Sequence, residues 1–342
     1  MLRIGCVGYG TGGQHFHTPF VAVAEGCALA GIVARAEATI SKARADWPDA
    51  PIFLNLTAMI EAGVCDAVTI TTRPQTRREL VLEAIAAALH VIADKPFAPN
   101  YEGAMELDAV AKVKGVTLGV YQNRRFDADL QTLKKVIDDG RVGKVWRIES
   151  RMDQDSPHTV ERGPTGGLLR DLGSHVVDQM VYLLGPVAAV DAQLDIVEFP
   201  EGPTDVSFTL ALRHESGAHS YASACKLNFI DDRELRVIGD KSSYVSKTID
   251  IQAQDIFTGK RPADDPAAWG YEPEANWGTL RTAIGAVRVP SEQGRYDDYY
   301  TAFAAAVRNG TPPPVTAETG ARTLAILDAA RQSAAEGRAI SL

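Results

Sequence analysis

Leu2-Arg3-Ile4-Gly5-Cys6-Val7-Gly8-Tyr9-Gly10-Thr11-Gly12-Gly13 is the stretch whose reading decides the fold. A short apolar run (Leu2, Ile4, Cys6, Val7) leads directly into G-x-G-x-x-G. A strand that ends in this pattern and opens a helix is the fingerprint of a dinucleotide-binding βαβ unit. Gly8 permits the tight turn, Gly10 lets backbone approach a pyrophosphate, and Gly13 lets helix and strand pack closely. Tyr9, Thr11 and Gly12 complete the turn. The helix N-terminus then offers N–H groups and the positive end of its dipole to phosphate.

Outward from that turn, short apolar runs alternate with helical patterns over the first 120 residues. Strands are expected at Arg3–Val7, Ala28–Val33, Pro51–Phe53, Ala67–Thr71, Val91–Ala93 and Thr117–Val120, with helices near 13–24, 37–46, 56–62, 76–88 and 102–113. The strands are continuous Val/Ile/Ala runs, as in a parallel sheet covered on both faces. This predicts a doubly wound α/β Rossmann domain over 1–121.

The pattern changes after Tyr121. A helix is expected from Asn123 to about Asp138, a strand over Lys144–Arg151, and a long helix over Gly166–Leu184 ended by Gly185-Pro186. Strand-like segments follow near 187–197, 204–213, 218–227, 233–239 and 243–249. They predict an α+β domain over 122–342 with an open-faced, mostly antiparallel sheet. Residues 255–295 are rich in Pro, Asp and Gly and read as a long excursion. Helices near 297–308 and 317–336 close the chain, the last able to pack back on the Rossmann domain.

Composition excludes several classes. The chain has 342 residues, enough for two domains, and carries 35 Lys+Arg against 44 Asp+Glu, a net charge of −9. That balance speaks against a nucleic-acid or anionic-membrane surface. No apolar run approaches the roughly 18 residues of a membrane span. No secretory signal is read at the start, so a cytoplasmic location is expected. Cys6, Cys27, Cys65 and Cys225 form no C-x-x-C pair and suit core packing. His15 and His17 lack an accompanying carboxylate or thiolate cluster, so no metal is expected.

The end of the second strand bears on the cofactor. An acid about 20 residues past the glycines marks NAD, through the ribose 2′-hydroxyl. Here the position falls on Ala34-Arg35, an arginine suited to a 2′-phosphate, with Glu37 the weaker hydroxyl partner. NADP is expected in preference to NAD.

Two further segments carry chemistry. His90-Val91-Ile92-Ala93-Asp94-Lys95-Pro96-Phe97 sets Lys95 at the carboxyl end of a parallel strand, where open α/β sheets bind ligands. In Gly166-Gly167-Leu168-Leu169-Arg170-Asp171-Leu172-Gly173-Ser174-His175, a helix would bring Asp171 and His175 to one face, with Asp178 continuing it. Such a carboxylate raises the basicity of an imidazole that takes a proton.

Together the glycine turn, Asp94-Lys95-Pro96 and Gly166-Gly167…Asp171…His175 resemble the glucose–fructose oxidoreductase / inositol dehydrogenase / MocA family. Asp-Lys-Pro-Phe, Asn123-Arg124-Arg125-Phe126-Asp127 and Trp269-Gly270-Tyr271 resemble its subgroup of NADP-dependent scyllo-inositol dehydrogenases. The resemblance covers nearly the whole chain. It implies hydride transfer between a nicotinamide and a sugar, cyclitol or related polyol carbon. Lys95 would polarise the reacting oxygen, His175 would be the general acid/base, and Asp171 would orient it. Thr71, Thr72, Asp94, Lys95 and Asn123 would join the glycine turn, Ala34 and Arg35 in holding the cofactor. Tyr121, Arg124, Arg125, Asp153, His158, Arg162 and Tyr296 are candidate substrate contacts. One segment departs from the family's Thr-Pro-x-x-x-His-like pattern: Thr72-Arg73-Pro74-Gln75-Thr76-Arg77 shifts the proline and replaces the histidine. Arg73 and Arg77 are open between phosphate contacts and recognition of an anionic substrate. Two rival functions are a non-catalytic NADP-binding sensor and reduction of an aldehyde, imine or enone. The exposed face of the second sheet, together with the resemblance, implies a homodimer or homotetramer.

Overall fold

The computed structural model describes residues 1–342, which divide into two compact units. The first comprises Met1–Phe126, Gln252–Trp269 and Arg295–Arg322; the second comprises Asp127–Ile251, Gly270–Gly294 and Thr323–Leu342.

The first unit is built on six strands: β1 Leu2–Val7, β2 Cys27–Val33, β3 Ile52–Phe53, β4 Ala67–Ile70, β5 His90–Asp94 and β6 Leu118–Tyr121. Between them run α1 Thr18–Val23, α2 Glu37–Asp46, α3 Leu56–Glu61, α4 Pro74–Ala86 and α5 Tyr101–Lys114. Strand order is β3-β2-β1-β4-β5-β6, and every pairing is parallel. Sheet order reverses between β1 and β4, the switch point where such sheets bind nucleotides. Ile4, Cys6, Ile32, Val68, Ile70, Val91 and Ile92 are fully buried, which is why these strands read as unbroken apolar runs. Burial pushes the Cys6 thiol up to about 12, in keeping with a packing role.

The second unit begins with α6 Ala128–Asp138, β7 Val145–Asp153 and α7 Ser174–Leu184. It continues with β8 Val187–Phe199, β9 Gly202–His214, β10 His219–Cys225, β11 Asp232–Gly239 and β12 Ser243–Ser246. After α8 Ile251–Phe257, a hairpin of β13 Gly278–Thr282 and β14 Gly285–Val289 extends the sheet. The long excursion expected over 255–295 is therefore partly regular structure. Of the helices in this stretch, α8 from Gln252 on and α9 Asp297–Asn309 belong to the first unit, while α10 Ala317–Glu336 passes into the second at Thr323 and precedes a last short strand, β15 Ile340–Ser341. The sheet order is β14-β13-β12-β11-β7-β10-β9-β8-β15, antiparallel except for the β7–β10 pair. Ile148, Met152, Ala222, Ala224, Leu235 and Val237 form its buried face. Its other face is polar: Glu149 sits opposite Arg236 and forms an ion pair with it. Tyr221, on that same face, is 43% exposed.

Three expected helices are broken. The helix expected near 13–24 opens as a π-helical turn over Gly12–His17, and α1 starts only at Thr18. Asn123–Phe126 is a 3-10 turn, and α6 starts only at Ala128. Leu169–Gly173 is a π-helical turn leading into α7. No helix is long and apolar enough to cross a membrane.

Candidate active site

In the first unit, Gly8 has φ +104°, a backbone conformation that glycine adopts without strain. A Cβ on Gly13 would lie 2.1 Å from the Gly8 carbonyl oxygen, so any side chain there drives strand and helix apart. Thr71 donates its hydroxyl to that same oxygen at 2.9 Å, and the Gly8 N–H donates to Val33 at 3.1 Å. A cavity of about 680 Å³ lies beside this turn, and Gly8, Tyr9, Gly10, Ala34, Arg35 and Arg73 all line it. Arg35 and Arg73 are exposed and engage no carboxylate. Glu83, also on its wall, accepts the Thr57 hydroxyl at 2.7 Å. Tyr9 is turned away to donate to Asp46 at 2.7 Å. The tight glycine turn, the close glycine contact and an unpaired cationic wall fit a dinucleotide phosphate.

Lys95 follows β5. Its backbone N–H donates to Asp94 Oδ1 at 2.8 Å. Asp94 Oδ2 lies 3.3 Å from Arg77 Nη2 and 3.7 Å from His17 Nε2. Burial alone would raise this carboxyl; the charges of Arg77, His17 and Lys95 outweigh it and hold the group well below the usual carboxylate range. Asp94 thus serves the turn that carries Lys95. His17 is no half of a histidine pair: its Nδ1 meets the Tyr300 hydroxyl at 2.6 Å and the Thr69 hydroxyl at 2.9 Å in the core. Tyr121 and Tyr296 are core side chains as well; Tyr121 donates to the Phe16 carbonyl at 2.7 Å, and the Tyr296 ring centroid is 5.2 Å from that of Phe20. Asn123, Arg124 and Arg125 are buried in the 3-10 turn.

In the second unit, Gly167 has φ +90°, and a Cβ there would fall 2.0 Å from Asp205 Oδ1. Asp205 uses its other oxygen to accept the Leu169 N–H at 2.6 Å, pinning the first residue of the π turn. From Leu168 to Met180 only Arg170, Asp171 and His175 escape burial. The turn therefore presents one carboxylate and one imidazole on an otherwise buried segment. Asp178, expected to continue their face, is 1% exposed: the π turn rotates the segment before it, and Asp178 falls inside α7's packed side. Lys226, just past β10, is 5% exposed and places its ammonium 2.9 Å from Asp171 Oδ2. Sequence reasoning missed it; the available signal was a lysine closing the apolar run of β10. Of the other candidate contacts, His158 is exposed, burial raises the Asp153 carboxyl, and Arg162 lies 4.6 Å over the Phe199 ring.

A parallel sheet ordered around a glycine turn, followed by a second unit built on a mostly antiparallel sheet, is the architecture of a two-domain pyridine-nucleotide oxidoreductase. The chain belongs to the Gfo/Idh/MocA family: residues 2–122 match its oxidoreductase NAD-binding Rossmann fold and residues 134–342 its C-terminal alpha/beta domain. It is similar to the scyllo-inositol 2-dehydrogenase (NADP+) IolW of Bacillus subtilis, with 30% identity over 100% of this chain and 96% of that protein. It is also similar to a D-apiose dehydrogenase of Paraburkholderia graminis, with 27% identity over 85% of this chain and 76% of that protein. A solved oxidoreductase from Bacillus cereus superposes with a TM-score of 0.88 at 27% identity, covering 100% of this chain and 99% of that one.

Proposed function

We propose that this chain is an NADP(H)-dependent dehydrogenase that transfers hydride between the nicotinamide and a carbinol carbon of a cyclitol, sugar or related polyol. The observation that carries the cofactor choice is the pair Arg35 and Arg73, both lining the cavity beside Gly8 and Gly10 and neither held by a carboxylate. The substrate class rests on family membership and on the IolW and D-apiose relatives.

When bound, the nicotinamide supplies or accepts the hydride. The protein supplies position and charge. Lys95, as an ammonium, stabilises the oxygen that becomes alkoxide-like, an electrostatic contribution set before reaction begins. His175 takes the hydroxyl proton in oxidation and returns it in reduction. Asp171, held by Lys226, sits on the turn that leads into α7, the helix that carries His175. The homodimer or homotetramer expected from the family resemblance would use the open face of the second sheet, which carries Tyr221 and the Glu149–Arg236 pair.

The test is a panel of polyols and aldoses, scyllo-inositol first, offered with NADP+ and NAD+ while reduced nicotinamide is followed by absorbance. Turnover of a polyol with NADP+ is expected. Tight NADPH binding with no turnover across the panel would instead favour a sensor.

A further inference from the structure

Arg77 lies in α4, and only 5% of it is exposed. Its guanidinium is spent on backbone. Nε donates to the Thr72 carbonyl at 2.7 Å, and Nη1 faces the carbonyls of Asp94, Lys95 and Pro96 at 3.0, 2.7 and 2.8 Å. Nη2 reaches Asp94 Oδ2 at 3.3 Å, while Asp94 Oδ1 accepts the Lys95 N–H. Nη1 carries two hydrogens, so three carbonyls share them and converge on one point.

We infer that Arg77 is a positioning residue for Lys95. Its planar fork gathers the backbone of residues 94–96 and ties it to Thr72, at the end of β4, so that the ammonium is delivered to one place. The inference rests on Lys95 being the group that meets the reacting oxygen. It takes Arg77 out of both roles left open by the sequence, since four of its five N–H groups are directed at four carbonyls and a carboxylate and the side chain is buried. Lysine cannot replace it, because an ammonium on a single stem is a point charge without the fork. A small misplacement of a catalytic group costs about 10²-fold in rate.

The experiment is a double-mutant cycle of Arg77→Lys with Lys95→Met, read by single-turnover hydride transfer from scyllo-inositol or from the best polyol of the panel. NADPH affinity and thermal unfolding are measured on each variant. Arg77→Lys should lower the rate about 10²-fold and leave NADPH affinity within about fivefold, while adding less than about threefold once Lys95 is already methionine. A second readout needs no turnover: acetic anhydride labelling of lysines against pH, quantified by peptide mass spectrometry. Arg77→Lys should change the labelling profile of Lys95 and leave that of exposed Lys144 alone. Arg77→Ala, if it folds, should do the same. A wild-type rate and Lys95 profile in Arg77→Lys, or an equal loss in the Lys95→Met background, overturns the inference while the functional reading stands. A wild-type rate in Lys95→Met overturns the functional reading, and the inference falls with it.

Discussion

Replacing Arg35 by aspartate exchanges the cation after β2 for an anion and leaves the glycine turn untouched. Arg35 is exposed and engages no carboxylate, so folding loses no ion pair. Stability should stay within about 0.5 kcal/mol of wild type, as for an ordinary surface change. Binding should respond far more. A hydrogen bond to a charged group contributes about 1.5–3 kcal/mol, which converts to a loss of about ten- to a hundredfold in NADPH affinity. The new carboxylate also repels the 2′-phosphate, which pushes the loss toward the upper end. NADH offers a hydroxyl at that position, so its affinity should hold or improve as the aspartate accepts the hydroxyl. Arg73→Ala should weaken NADPH about tenfold by the same reasoning. The two losses should fall short of additive, since both arginines would meet one phosphate. The assay is a fluorescence titration of NADPH and NADH on wild type and both variants, at low and high salt. NADPH binding should weaken with salt more than NADH binding. Equal affinities for the two cofactors in wild type, or an unchanged gap in Arg35→Asp, refutes the reasoning.

Lys226→Met removes the cation that fixes Asp171. The Asp171 side chain is 35% exposed and rehydrates, so the stability loss should stay under about 2 kcal/mol; turnover should fall by about tenfold or more as the carboxylate swings free, with NADPH affinity unchanged, as stopped-flow and titration will read. Glu272 is a second, pH-dependent case: burial first, and then the nearby Asp129 carboxylate, raise it from 4.5 to about 8. The folded state therefore holds a proton that the unfolded chain releases, so its contribution is full below pH 4.5 and is lost as pH rises through about 8. Glu272→Gln should flatten that slope and gain about 2–4 kcal/mol at pH 8.5 relative to pH 5, measured by urea unfolding; an unchanged slope rejects it. Gly13→Ala should destabilise the first unit by about 1–3 kcal/mol, since its Cβ meets the Gly8 carbonyl oxygen, and should also weaken NADPH; a melting temperature and affinity equal to wild type would count against the turn geometry.

The first sheet was legible because its physics is local. Continuous buried runs such as Ala67–Ile70 and Val91–Ala93 admit few other readings, and the glycine turn fixes which strand comes first. The hairpin β13–β14 was not legible: four of the five residues of β14 are exposed, so no apolar alternation marks it. The π turn at Leu169–Gly173 hid inside a helical pattern, because Leu168, Leu172 and Val176 are buried whichever way the turn winds. Lys95, Asp171 and His175 are singled out by motif alone. Their supports are not, because they act across sequence. Lys226 is 55 residues from Asp171, and Tyr300 is 283 from His17. Arg77 was singled out from the sequence, but no spacing reveals that its donors are consumed by the turn at 94–96.

The proposed function assigns Lys95 and His175 to one substrate hydroxyl. Single-turnover hydride transfer with saturating NADP(H) tests it most directly, comparing wild type, Lys95→Met, His175→Ala and the double variant. Each single change should slow transfer by about 10²-fold or more, with His175→Ala losing up to about 10⁴-fold. The double variant should be little slower than the worse single one, because both groups serve the same proton and charge. NADPH affinity should be nearly unchanged throughout. Wild-type rates in both single variants, at unchanged cofactor affinity, would contradict the account.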